Sequence, residues 1–190
     1  EELVIANVPR IRDTEAQIAL LADLGVETEW VEDNTIRLCA KNVRDTTLDE
    51  DLSAAIRASF LMAGPLLARF GEVHMPPPGG DFIGRRRLDA HLDAFRELGA
   101  RIGGQRMIEL NAPPGGLRAA EIFMDEPSVM GTENALMAAA LIPGETTILN
   151  AASEPHVQDL ANLLVKMGAP ISGIGSNVMV VSGQDKLGGA

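Results

Sequence analysis

The chain has 190 residues, enough for one sizeable domain. Apolar residues make up 46% and charged residues 23%, which is the balance of a folded globular protein, while aromatics make up only 3%, so the core must be aliphatic. The net charge of −11 argues against a nucleic-acid or anionic-membrane surface, and with no Tyr and one Trp, Trp30, few side chains could stack on bases. No apolar run reaches membrane-spanning length, no signal peptide opens the chain, and Cys39 is alone, so no intrachain disulfide can form. A reducing cytoplasm fits that usage.

Residues 1–26 read as a short strand, a turn and an amphipathic helix starting near Asp13 as N-cap, with Ile18, Leu21 and Leu24 on one face. Gly25 stands where a left-handed C-terminal cap is wanted. Residues 27–38 read as a hairpin turning at Asp33-Asn34. A strongly apolar helix follows at roughly 51–69, with small residues on several sides and therefore largely buried. Arg57 falls within it, and a buried guanidinium there requires a carboxylate or a ligand.

The strand–turn–helix–hairpin pattern then recurs over 71–110, with Leu88, Leu92, Phe95 and Leu98 on the helix, Gly99 as its cap and Gly103-Gly104 at the turn. A second buried helix is expected at 128–142. The third copy, 144–181, aligns with the first without a gap: Glu2 with Glu145, Ile5 with Ile148, Asn7 with Asn150, Gly25 with Gly168. Its helix face is Val157, Leu160, Leu163, Leu164 and Met167, and its hairpin turns at Ser176-Asn177. Units of about 1–40, 41–115 and 116–185 follow. The first lacks an opening strand and helix, as an excised piece would, and residues 182–190 read as a linker or the start of a strand.

The middle copy is longer than its siblings by about four residues, in PPPGGDFIGRRR (76–87), between strand and helix. An insertion at one such junction is either a functional loop or a tolerated surface insertion. It holds one acid, Asp81, which could equally be an ordinary polar residue. Gly79, Gly80 and Gly84 permit close approach to a ligand. Arg85, Arg86 and Arg87 could hold phosphate or carboxylate groups, or form a solvated face. Ser128, after Asp125-Glu126-Pro127, could face an anion or simply cap its helix. His74, His91 and His156 lack metal-ligand spacing, and no Walker or dinucleotide fingerprint is present.

Residues 56–100, with RAS, GPLLARFG and PGGDFIGRRRLDAHL, resemble the UDP-N-acetylglucosamine 1-carboxyvinyltransferase family, whose pattern is PGG(C/D)xIGxRPxDxHL. MDEPSVMGTEN and NAASEPHVQDLANLL resemble its later segments, so the likeness runs the length of the chain. The resemblance implies an α/β (α+β) lobe of three βαβαββ repeats, an inside-out barrel-like arrangement with buried helices and outer sheets. It implies transfer of enolpyruvyl from phosphoenolpyruvate to the 3-hydroxyl of UDP-N-acetylglucosamine, in bacterial peptidoglycan precursor synthesis, with no cofactor and no metal.

By the same alignment, Asp81 takes the place of the loop cysteine that protonates the enolpyruvyl methylene, which a carboxyl can do only if its pKa is raised. Arg86 matches the loop arginine that meets both substrates. Residues Arg86, Arg87, Leu88, Asp89 and Ala90 match the uridine-binding stretch, Arg57 another sugar-nucleotide contact, and Glu126, Pro127, Ser128 and Val129 the diphosphate side. Three departures stand out. Arg87 replaces a Pro, Met130-Gly131 replaces Gly-Ala, and Glu126 stands where some relatives carry Lys. They open the alternative of a divergent or non-catalytic sugar-nucleotide-binding paralogue. The family's Lys-Asn pair would lie before Glu1 and its second lobe after Ala190, so the chain alone is expected to show no turnover.

Overall fold

The computed structural model describes residues 2–80 and 87–190. One strand–helix–hairpin motif recurs three times, and each copy builds its own sheet. The first has β1 (Glu2–Ile5), α1 (Arg12–Asp23), β2 (Glu27–Glu32) and β3 (Thr35–Cys39). The second has α2 (Glu50–Ala55), a 3₁₀ segment (Arg57–Met62), α3 (Ala63–Phe70), β4 (Glu72–Met75), α4 (Asp89–Glu97), β5 (Arg101–Gly103) and β6 (Ile108–Asn111). The third has β7 (Glu121–Phe123), α5 (Val129–Ala139), β8 (Gly144–Leu149), α6 (Pro155–Lys166), β9 (Ile171–Ser172) and β10 (Val178–Gly183).

Strand order repeats with the motif: β1-β3-β2, β4-β6-β5 and β7-β8-β10-β9. All pairings are antiparallel except β7 with β8, which run parallel. The middle sheet keeps a trace of an equivalent opening strand. Thr47 forms a parallel bridge with His74, where Leu48 N–H donates to the His74 carbonyl at 2.9 Å and His74 N–H to that of Thr46 at 2.8 Å.

The glycine caps also repeat. Gly25, Gly99 and Gly168 have φ of +95°, +96° and +107°. In each copy the glycine N–H and the next N–H reach back to two helix carbonyls: Ala22 and Leu21, Arg96 and Phe95, Val165 and Leu164. This double closure ends the helix where an L side chain would resist the left-handed turn. Asn7 and Asn150, aligned in the sequence, share an unusual left-handed backbone as well, with φ of +57° and +56°.

The helices sit inside. α5 is buried on nearly all sides, through Gly131, Thr132, Asn134, Ala135, Leu136, Ala138 and Ala139, and it packs against α3, α4 and α6. Small residues allow that crowding: a Cβ on Gly64 would fall 2.6 Å from the Asn134 carbonyl oxygen. The core is aliphatic around two fully buried rings, Phe60 and Phe95.

Two expectations are corrected. Helix α1 starts at Arg12 with Ile11, not Asp13, as N-cap, and Ile11 offers no side-chain bond. The single helix expected at 51–69 is broken. Asp49 caps α2 by accepting from Leu52 N–H, then Ile56 turns extended at φ −148° and ψ 138°, and a 3₁₀ segment leads into α3. The break makes room for the chain after β4, which lies against the end of α2. Gly79 N–H donates to the Ser53 carbonyl at 3.1 Å and Gly80 N–H to that of Ala54 at 3.2 Å. A Cβ on Gly79 would fall 1.8 Å from the Ala54 oxygen.

Candidate active-site cleft between two helix starts

The interruption at Ile56 brings Arg57 out of the helical interior to the surface of the helix layer. It is half-buried, with Nη2 donating to the Arg87 carbonyl at 3.1 Å. On the other side it abuts Gly80, whose φ is +89°. Gly80 and Arg87 thus both meet Arg57. Asp81 and Arg86, the acid and the arginine singled out in the sequence, lie outside the described residues, as does Arg85.

Around Arg57 the starts of α4 and α5 form a cleft of about 350 Å³, lined by Arg57, Arg87, His91, Glu126, Ser128, Val129 and Met130. Helix starts present free N–H groups and the positive end of the helix dipole, which favours anions. Ser128 caps α5, its Oγ accepting from Gly131 N–H at 3.2 Å. Its carbonyl is held from beneath by Thr132 Oγ1 at 2.8 Å, and that hydroxyl in turn accepts from Ala152 N–H at 3.0 Å. Capping and cleft-lining therefore coincide at Ser128, while the first-turn amides of Val129 and Met130 have no intrahelical acceptor.

Arg87 bridges to Asp89, Nε to Oδ2 at 2.7 Å. The Asp89 hydrogen bond and charge, with lesser help from Asp125 and Glu126, raise its pKa further above the ordinary arginine value. His91 is 3% exposed, and burial, aided by the Arg57 charge, pulls its pKa down to about 4. The ring is neutral at physiological pH.

Of the residues expected at the site, Arg57, Arg87, Glu126, Ser128 and Val129 line this cleft. Leu88, Asp89, Ala90 and Pro127 do not line it. Leu88 is the N-cap position of α4, and Asp89 holds Arg87. Ala90 is buried against α5, where its Cβ would stand 3.3 Å from one placed on Gly131. Pro127 is exposed. The sequence had flagged Met130 as a departure that could retune the site, and Met130 lines the cleft, but it had not placed His91 there. A signal existed for His91, one helical turn after Arg87. Among the described residues no group of three or more His, Cys, Asp or Glu could hold a metal, and no helix is long and apolar enough to cross a membrane.

Helices packed inside three sheets, with a cleft at their starts, define the enolpyruvyl transferase fold. The solved enolpyruvyl transferase NikO from Streptomyces tendae superimposes with a TM-score of 0.81 over 96% of this chain and 43% of its own, at 22% identity. EPSP synthase from Acinetobacter baumannii does so at 0.72 over 99% of this chain and 43% of its own, at 19% identity. A sequence model of the family described as EPSP synthase (3-phosphoshikimate 1-carboxyvinyltransferase) matches residues 1–190, and the chain belongs to that family. Among curated relatives, proteins named UDP-N-acetylglucosamine 1-carboxyvinyltransferase are 54% identical over 188 residues in Bradyrhizobium diazoefficiens and 49% over 189 residues in Treponema denticola. The alignments cover 99% and 100% of this chain but only 43% and 44% of those proteins.

Proposed function

We propose that this chain is one lobe of a bacterial, cytoplasmic UDP-N-acetylglucosamine 1-carboxyvinyltransferase, with phosphoenolpyruvate as the second substrate and the other lobe of the same protein as partner. The observation that carries the reading is the cleft. In a chain of net charge −11, Arg57 and Arg87 converge beside two helix starts and free α5 amides, a setting for phosphate groups. The names of the relatives supply the substrate. Arg57, Arg87, Ser128 and Val129 hold the sugar nucleotide, together with Arg86.

In the reaction the acceptor 3-hydroxyl adds to C2 of phosphoenolpyruvate while the methylene carbon gains a proton. Loss of a proton from the resulting methyl group then expels phosphate and restores the double bond. Asp81 is the proton donor in the addition step, and it must be protonated when substrate is bound.

The test is made in the protein that carries this chain. Asp81→Ala is expected to lower turnover by about a hundredfold or more, and Asp81→Cys to retain most of it. A thiol-alkylating epoxide should leave that protein active, because Asp81 offers no thiol, and within this chain Cys39 is buried in β3 and does not line the cleft. Stoichiometric inactivation by that epoxide would remove Asp81 from the role. A second reading, a divergent sugar-nucleotide binder, is favoured by one observation: all three departures from the family pattern bring a residue to the cleft lining, Arg87, Met130 and Glu126. Calorimetry showing both substrates bound, with no product formed, would select it.

A further inference from the structure

We propose that His91 contacts a phosphate oxygen of the bound nucleoside diphosphate through Nε2–H, and that Asn134 is the positioning residue that fixes this tautomer. The contact rests on the nucleotide reading above; the tautomer does not.

The anchor is Gly64 on α3. Its backbone N–H can only donate, and it meets Asn134 Oδ1 at 2.9 Å, which fixes the orientation of the amide. Asn134 Nδ2 then donates to the Phe60 carbonyl at 2.9 Å and faces His91 Nδ1 at 2.9 Å. An amide nitrogen has no lone pair to offer, so Nδ1 must be the acceptor. A neutral ring in that state carries its proton on Nε2. The ring is also fixed in plane, edge-on to Phe60 at 4.9 Å and 81°.

Four segments therefore set one proton: α3 through Gly64, the 3₁₀ segment through Phe60, α5 through Asn134, and α4, which carries His91. Nε2–H is the ring's remaining polar group, and His91 lines the cleft with Arg57, Arg87 and Ser128. Its neutral state, enforced by burial and the Arg57 charge, makes it a donor without adding a cation. It can thus recognise an oxygen by direction rather than by charge.

The experiment is long-range ¹H–¹⁵N NMR on the full-length protein that carries this chain, with labelled histidine and with UDP as the probe. At pH 7 the His91 Nδ1 is expected at the unprotonated shift and Nε2 at the protonated one. Saturating UDP should move Nε2 together with the Ser128 and Val129 amides. Asn134→Ala should let both tautomers populate, an effect that a purely structural asparagine would not produce. His91→Leu should weaken UDP binding about tenfold, whereas His91→Gln, which keeps an N–H donor, should stay within about threefold of native. An Nδ1–H tautomer in the native chain, or His91→Leu binding as tightly as native, would overturn the proposal. UDP shifting Ser128 and Val129 with His91 unmoved would overturn the contact alone. A chain in which no resonance responds to UDP overturns the nucleotide reading, and the contact with it.

Discussion

Gly79 and Gly115 separate two reasons for a glycine. At Gly79 a methyl group would meet the Ala54 carbonyl oxygen at 1.8 Å, so Gly79→Ala must push the chain off the end of α2 and break the bond to Ser53. At Gly115, with φ of +97°, nothing lies within 4 Å, and Gly115→Ala meets only backbone strain. Gly79→Ala is expected to cost about 3 kcal/mol or more and Gly115→Ala about 1 kcal/mol, measured by urea denaturation. Because the displaced segment abuts Arg57, Gly79→Ala should also weaken UDP binding while Gly115→Ala leaves it unchanged.

His91 carries a pH prediction at the same scale. Its folded pKa of about 4 lies below the ordinary value of 6.5, so between those values the unfolded chain binds more protons. Its contribution is fully present above pH 6.5 and is lost as pH falls towards 4, on the order of 3 kcal/mol in all. The groups around it include Arg57, which reinforces the neutral form, and Arg87 and Glu126 across the cleft. Glu133 on α5 works the other way, since burial raises its pKa. Denaturation at pH 7.5 and 4.5 should therefore show a steeper loss for the native chain than for His91→Gln, and equal slopes would refute it.

At the scale of elements, α5 holds the layer of helices together through one side chain. Asn134→Leu keeps the volume but takes the side-chain partner from buried Gly64 N–H and His91 Nδ1, and leaves the Phe60 carbonyl with only the Ala63 N–H, a cost of about 2–5 kcal/mol by thermal or urea unfolding. The buried character of α5 was legible, because small and apolar residues surround it on every side. The glycine caps were legible too, since a left-handed residue leaves few choices of side chain. The break at Ile56 was not. The apolar pattern runs on through 51–69, and the carbonyls at the end of α2 are instead taken by Gly79 and Gly80 N–H, distant in sequence but adjacent in the fold. Arg57 was read as a guanidinium in need of a partner, yet its place at the cleft follows only from that break. His91 escaped for a similar reason: its tautomer is decided by Asn134, 43 positions away. Aligned positions also differ in burial. Ile148 is fully buried where β7 and α5 cover β8, while Ile5 is 38% exposed on β1.

For the molecule as a whole, the balance of charge sets how a polyanion is held. The chain is strongly acidic, and the cleft itself mixes Arg57 and Arg87 with Glu126, while Asp89 and Asp125 act on Arg87. Attraction of a nucleoside diphosphate is therefore local, working against the long-range field of the rest of the molecule. Exposed charges feel each other over about 10 Å at 0.1 M salt and about 3 Å at 1 M. UDP affinity, followed by calorimetry, should consequently fall several-fold, on the order of 3- to 10-fold, between 50 and 500 mM NaCl. Glu126→Gln removes the acid that lines the cleft, so it should strengthen binding about two- to threefold at low salt and make no difference at high salt. If the phosphates sit elsewhere on the chain, Glu126→Gln will change affinity by the same small factor at every salt concentration. The salt dependence of that one substitution therefore locates the polyanion, independently of any tautomer or turnover measurement.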